Sequence, residues 1–337
     1  MPVTIYDVAK EAGVSMATVS RVVNGNPNVK PATRKKVKEA IQRLGYRPNA
    51  VARGLASKRT KTVGVVIPDV SNPFYSELVR GIEDIANMYD YNIFLCNSDE
   101  HKGKELRLIE TMLEKQVDGL LFMGAKVTQD HREILQTGHV PVVLSSTLDE
   151  EGILPSVSIN HGKAMEEGVH YLHELGHQRI ALISGPPDEP LFGTIRLQAF
   201  RRAMTNVGLT IDENMICTGD MHYESGFEET KKLLQQSQPP TAIFAVSDEM
   251  AIGAIHAILD QGLRVPEDIS VLGFDNTRLA TMVRPLLTTV VQPMYDIGAV
   301  SMRLLTKYMM NEEVESSCVI LPHRIEVRQS TCSIEKG

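Results

Sequence analysis

The sequence has no tryptophan and only four cysteines in 337 residues. Cys96, Cys217, Cys318 and Cys332 are far apart and lack the paired spacing of a metal site, so they read as reduced thiols. No apolar run approaches bilayer length, and the opening MPVTIYDVAK has no signal-peptide core, so a soluble cytoplasmic protein is expected. The G-x-S-x-G elbow, the Walker pattern and the dinucleotide fingerprint are missing, and the stretches ISGPP and LGFDN supply none of them. His170, His173 and His177 have the spacing of one helical face, but no acidic or cysteine ligand with metal-type spacing joins them. An exposed polar helix face accounts for them. No catalytic residue, metal site or cofactor is therefore expected.

Acidic residues are scarce at one end only. Residues 1–61 hold 3 Asp and Glu against 13 Lys and Arg, a net charge of +10. The remainder holds 39 against 22, a net of −17, and the whole chain is at −7. A basic head on an acidic body points to a polyanionic partner for the head alone. The length suggests two or three compact units, and 42% hydrophobic with 23% charged residues is ordinary for a globular protein.

The head reads as three short helices. Thr4 caps the first, Ile5, Val8, Ala9 and Ala12 form its apolar stripe, and Gly13 ends it. Ser15 caps a second helix from Met16 to about Asn24, and a short glycine-containing turn between two helices is a helix-turn-helix signal. A third starts at Pro31, with Val37, Ala40, Ile41 and Leu44 inward and Thr33, Arg34, Lys35, Lys36 and Lys38 leaving it strongly basic. On the second helix Val19, Val22 and Val23 pack inward. Ala17, Ser20, Arg21 and Asn24 point outward, where a major groove could receive them. Small residues permit close approach, and Arg21 reaches a guanine edge or a phosphate.

RPNAVARGLASKRTK follows. Asn49 could cap a helix of about two turns over 50–56, too short to be stable alone and weakened by Gly54. One reading is a flexible linker. The other is a hinge that folds when two copies meet on DNA, with Val51 and Leu55 on one face, Ala52 and Ala56 on another, and Leu55 as a minor-groove wedge.

TIYDVAKEAGVSMATVSRVVNG and GYRPNAVARGLAS, with the later VGVVIPDVSNPFYSELVRGIE, SDEMAIG and VLGFDNTRLATMVRPLLTTVVQP, resemble the lac-repressor/galactose-repressor family of bacterial transcription regulators over the whole chain. The resemblance implies a homodimer on a palindromic double-stranded operator. It places base reading on Met16, Ala17 and Arg21 and the wedge on Leu55. The DNA-facing set is then Ser15, Met16, Ala17, Thr18, Ser20, Arg21, Asn24, Val51, Leu55 and Ala56. Met16 and Ala17 cannot hydrogen-bond bases, so they imply loose, methyl-type contacts suited to many imperfect sites.

From Thr62 onward about nine apolar β-type runs alternate with amphipathic helical stretches. That pattern means parallel sheets covered on both faces, and nine runs exceed one sheet of usual width. The expected fold is a small all-α helix-turn-helix head plus an α/β body of two doubly wound parallel-sheet lobes. The resemblance makes that body periplasmic-binding-protein-like, with crossings near Asn160, Val291 and Leu321. The implied division is a head over 1–48, a hinge and linker over 49–61, and a body over 62–337. The N-lobe would be 62–160 with 292–321, and the C-lobe 161–291 with 322–337. Ligands bind beyond the carboxyl ends of strands in such sheets. Phe74, Tyr75, Asp248 and Asp275 follow strand ends and would meet at an interlobe cleft, although the aspartates could equally cap local turns. Arg196 matches a family arginine that faces the effector. A sugar, or a sugar phosphate as adjunct effector, is the ligand class implied.

The stretch PMYDIGAVSMRLLTKYMM has Ile297, Leu304 and Tyr308 on an inward stripe and Asp296, Val300, Arg303 and Lys307 on a separate face. Arg303 has no acidic residue three or four positions away, so the two cations around Val300 suit an external dianion such as phosphoserine. The resemblance implies that the dianion is on serine-phosphorylated HPr, a sugar-phosphotransferase protein acting as corepressor. It adds Tyr295, Arg324, Asp69, Tyr89 and Asp99 to the partner surface. The function implied is carbon catabolite repression and activation. The alternative is a repressor of the same family released by a small sugar in the cleft.

Overall fold

The computed structural model describes residues 3–47, 59–99, 101–187 and 189–334. It divides into two compact units, 1–60 and 61–337.

In the first unit, α1 (Ile5–Ala12), α2 (Met16–Val23) and α3 (Pro31–Leu44) enclose a core of Val8, Ala9, Ala12, Val19, Val22, Val37 and Ala40. Local chemistry fixes the ends of these helices. The Asp7 carboxylate accepts from the Thr4 N–H and hydroxyl, both at 2.8 Å, and Ser15 Oγ accepts from the Thr18 N–H at 3.2 Å. Gly13 and Gly45 close α1 and α3 at φ 64° and 63°, a left-handed conformation that costs glycine little.

The second unit holds two six-stranded sheets. The first runs β11 (Cys318–Leu321), β5 (Ser156–Ile159), β4 (Val142–Ser145), β3 (Gly119–Phe122), β1 (Thr62–Ile67) and β2 (Asn92–Asn97), all parallel. The second runs β12 (Arg324–Glu326), β10 (Thr288–Val291), β9 (Ser270–Asp275), β8 (Ala242–Ala245), β6 (Ile180–Ser184) and β7 (Ile216–Thr218). Its one departure from a parallel sheet is β12, which pairs antiparallel with β10. The chain passes between the sheets after β5, after β10 and after β11. Central strands such as β3, β4, β8 and β9 are buried along their whole length, as sheets covered on both faces require.

The helices of this unit are α4 (Pro73–Met88), α5 (Lys102–Glu114), α6 (Gln129–Gly138), α7 (His161–Glu174), α8 (Arg196–Asn206), α9 (Tyr223–Leu234), α10 (Asp248–Asp260) and α11 (Met294–Met310). α4 and α11 cross at two glycines. A Cβ on Gly81 would collide with the Tyr295 carbonyl oxygen, and one on Gly298 with that of Leu78. His177 departs from the expected exposed face. α7 ends at Glu174 and Gly176 turns the chain at φ 91°, so His177 is buried beyond the helix. Its Nδ1 pairs with Thr241 Oγ1 at 3.1 Å, and its Nε2 lies 3.2 Å from the Cys332 carbonyl. It is a structural link of the second lobe.

Candidate functional site

On α2, Val19 and Val22 are buried while Met16, Ala17, Arg21 and Asn24 are exposed, with Ser20 and Thr18 half-buried. One face anchors the helix and the other is free to enter a groove. Val23 is only partly buried. Of the α3 cations, Lys35, Lys36 and Lys38 are exposed, but Arg34 is half-buried and donates to the Asn26 carbonyl at 2.5 Å. Arg34 therefore orders the loop between α2 and α3 instead of standing free. Val51, Leu55 and Ala56 lie outside the described residues.

Between the two sheets of the body lies a cavity of about 540 Å³, lined among others by Phe74, Tyr75, Asp248 and Asp275. Asp248 is fully buried. Its Oδ2 accepts from the Thr277 N–H at 2.6 Å and hydroxyl at 3.0 Å, and its Oδ1 from the Thr289 hydroxyl at 2.6 Å. Asp275 accepts from Gln292 Nε2 at 2.7 Å. Burial raises both carboxyls well above the usual aspartate range, against the pull of those hydrogen bonds and of nearby Arg328 and Arg196. Asp275 and Asn276 both have positive φ, 112° and 61°, a strained backbone at the cavity wall.

Arg196 does not line the cavity. It is fully buried, with Nη1 donating to the Val246 carbonyl at 2.5 Å and Nη2 to His161 Nδ1 at 3.1 Å. Its guanidinium stands 3.7 Å from the centroid of the Phe274 ring, which holds it by cation–π attraction. Sequence reasoning also passed over His131 and Glu105. Both line the cavity, with His131 Nε2 3.2 Å from Glu105 Oε2. The Thr128 N–H donates to His131 Nδ1 at 3.2 Å, so the ring proton belongs on Nε2, toward the carboxylate. A capping residue three positions before a histidine was the available signal.

The model of the lacI family of bacterial regulatory proteins matches residues 4–49, and that of a periplasmic binding protein-like domain matches residues 169–331. Catabolite control protein A of Priestia megaterium is 60% identical over 331 residues, covering 98% of this chain and all of that protein. The chain belongs to the lacI family. Catabolite control protein A of Staphylococcus epidermidis is 51% identical over the same coverage. Among solved structures, the lac repressor dimer bound to operator and an anti-inducer is 32% identical with a TM-score of 0.90, covering 98% of this chain and all of that one. Transcription regulator CcpA of Lactococcus lactis is 37% identical with a TM-score of 0.75, covering 80% of this chain and 98% of that one. A lacI-family member with these relatives is a DNA-binding transcription regulator in catabolite control. Among the described residues no group of three or more His, Cys, Asp or Glu is placed to hold a metal, and no helix is long and apolar enough to cross a membrane.

In this lacI-family chain the α11 residues share one outward face. Tyr295, Asp296 and Arg303 are exposed, and Val300 and Lys307 are half-buried. Among the described residues neither Arg303 nor Lys307 has an ion-pair partner. Tyr295 and the neighbouring α4 are joined through Asp84, another residue the sequence did not single out. Asp69 and Asp99 follow the adjacent strands β1 and β2, and the Asp99 N–H donates to the Pro68 carbonyl at 2.9 Å. Their carboxylates are engaged locally, Asp69 by the Ser71 N–H and hydroxyl and Asp99 by Lys104 and Asn97. The lysine holds the Asp99 carboxyl below the usual range. Tyr89 ends α4 half-buried. Arg324 stands apart from the rest, in β12 of the second sheet, paired with Glu326 at 3.3 Å.

Proposed function

We propose that the protein is a cytoplasmic homodimeric regulator of carbon catabolite repression and activation, binding a palindromic operator with serine-phosphorylated HPr as corepressor. The observation that carries this reading is the α11 face. Arg303 and Lys307, which have no ion-pair partner among the described residues, follow the half-buried Val300 along one face, an arrangement suited to a phosphoserine dianion with an apolar neighbour. Asp69, Tyr89, Asp99, Tyr295 and Asp296 extend that surface in the proposal, and Arg324 contributes separately from the second lobe. The exposed face of α2 reads bases through Met16, Ala17 and Arg21, with Ser15, Thr18, Ser20 and Asn24 around them. Val51, Leu55 and Ala56 form the paired hinge, with Leu55 as wedge. The edge strand β2, with Phe94 and Leu95 each 37% exposed, supplies an apolar dimer contact.

Docking acts by favouring the lobe arrangement that brings the paired hinges together, which requires tighter binding of the partner to the DNA-competent state. Operator affinity measured with phospho-HPr, with unphosphorylated HPr and with neither tests the proposal. A gain with the phosphorylated partner alone is expected, and equal gains with both forms refute it.

The interlobe cavity favours a second reading, a sugar effector held by Phe74, Tyr75, Asp248 and Asp275. Operator release by a free sugar in the absence of HPr would single out that reading. A sugar phosphate strengthening the HPr effect would make it an adjunct effector.

A further inference from the structure

A buried arginine with no direct carboxylate partner is costly to keep. Arg196 bonds two of its five N–H groups, to Val246 and His161, and its Nε has no partner among the described residues. Burial lowers its pKa to about 10, with Asp275 pulling the other way. The bond to His161 is informative because arginine only donates. Nδ1 of His161 must therefore be an acceptor, which puts the ring proton on Nε2. Nε2 lies 3.2 Å from Ser158 Oγ, so the imidazole donates there.

Ser158 belongs to β5 in the first sheet, and His161 opens α7 immediately after the first passage between lobes. The chain of bonds Ser158–His161–Arg196–Val246 thus runs from the first sheet, through a crossover, to the carbonyl just beyond β8 of the second. The ring is clamped as well, stacked at 6.4 Å on Phe274 and edge-on to Phe192 at 6.4 Å. Asp275, which faces Arg196 electrostatically, is bonded to Gln292 at the second crossover and lines the cavity.

We propose that Arg196 is a positioning residue that sets the angle between the two lobes from inside, through a neutral His161 held as the Nε2–H tautomer. The lobe arrangement is thereby defined before any ligand or partner binds, and the inference does not rest on which partner that is. Charged or titratable groups around the imidazole are Arg196 on α8, His323 at the third crossover and Glu167 on α7, whose Oε2 lies 3.1 Å from His323 Nε2. Burial, Arg196 and His323 all hold His161 well below the ordinary histidine value. A proton at Nδ1 would replace the accepting lone pair with a like charge facing the guanidinium.

Two measurements on the full-length protein test this. Imidazole nitrogen spectra, with the His161 signals assigned by their loss in His161→Gln, should show the Nε2–H tautomer, neutral through the ordinary histidine titration range. In Arg196→Met that tautomer preference should be lost. An Nδ1–H tautomer, ordinary titration, or a preference unaltered by Arg196→Met overturns the proposal.

The second measurement is the interlobe distance distribution between fluorophores on non-natural residues at the exposed positions Glu110 and Gln235, which leaves the cysteines untouched. His161→Phe keeps the ring packing but removes both bonds, so the distribution should shift and broaden. His161→Gln can accept from Arg196 and donate to Ser158, so it should restore the wild-type distribution. A wild-type distribution in His161→Phe, or equal broadening in both variants, overturns it. If His161→Phe does not fold, the tautomer measurement decides alone.

Discussion

The Tyr295 hydroxyl donates to Asp84 Oδ2 at 3.0 Å and so ties the first turn of α11 to α4. The same aspartate pairs with Arg80 at 2.9 Å. A short polar chain therefore runs across the two helices beside the face that carries Val300 and Arg303. Below it the helices touch backbone to backbone at Gly81 and Gly298. The face is consequently one rigid two-helix surface, fixed by packing before any partner arrives.

Gly81→Ala tests that rigidity. Alanine would gain about 1 kcal/mol of helix propensity, but its Cβ meets the Tyr295 carbonyl, which is backbone and cannot swing aside. Overpacking of this kind costs about 1–3 kcal/mol, so a net loss of stability is expected. A urea midpoint equal to or above that of the wild type would show that the helices separate freely.

Arg303→Ala addresses the proposed corepressor. Truncating one partner of a hydrogen-bonded interfacial charge pair costs on the order of 2 kcal/mol or more. The gain in operator affinity from phospho-HPr should largely vanish while basal DNA binding is retained. A mutant that responds fully places the phosphate elsewhere.

Elements defined by local chemistry were legible in the sequence. Thr4, Ser15, Gly13 and Pro31 mark helix ends through caps that depend on neighbouring residues only, and the inward stripes of α1 to α3 follow from them. Long buried strands announced themselves as apolar runs. β7 and β12 are three residues long, and β11 alternates exposed with half-buried positions, so neither run length nor burial signalled them. The full burial of Arg196 was not legible in the sequence, for a physical reason. Arginine is almost never fully buried, and only the folded arrangement of Val246, Phe274 and His161 shows why this one is. The cavity partners His131 and Glu105 come from different helices, and no spacing rule joins them.

Salt should weaken DNA binding steeply if the head grips phosphates through Lys35, Lys36, Lys38 and their neighbours. A dimer making roughly 6–10 phosphate contacts loses about three to five decades of affinity between roughly 50 and 200 mM salt. Arg34 is committed to the Asn26 carbonyl, so Arg34→Ala should act through loop order, and leave the slope near that of the wild type. Lys36→Ala, which removes a cation from each protomer, should reduce the slope by about two. A slope that is flat in titrations across that range would remove the electrostatic role of the head.

Asp275 links stability to pH, and the sign follows from its shift. Burial raises its folded carboxyl well above the aspartate value of 3.8. Above that value the unfolded chain gives up its proton first, so the folded state holds more protons. Its contribution is therefore fully present below the unfolded value and is lost as pH rises through the raised folded value. Asp248 is shifted in the same direction by the same cause, so the two losses reinforce one another. Asn at position 275 keeps a carbonyl oxygen for the Gln292 bond and carries no charge to desolvate. Asp275→Asn should thus gain stability over the wild type at pH 8 but little at acid pH. Denaturation midpoints of both proteins from acid to mildly alkaline pH check this. A constant difference across that range would mean that Asp275 is ionised throughout, with its charge compensated inside the fold.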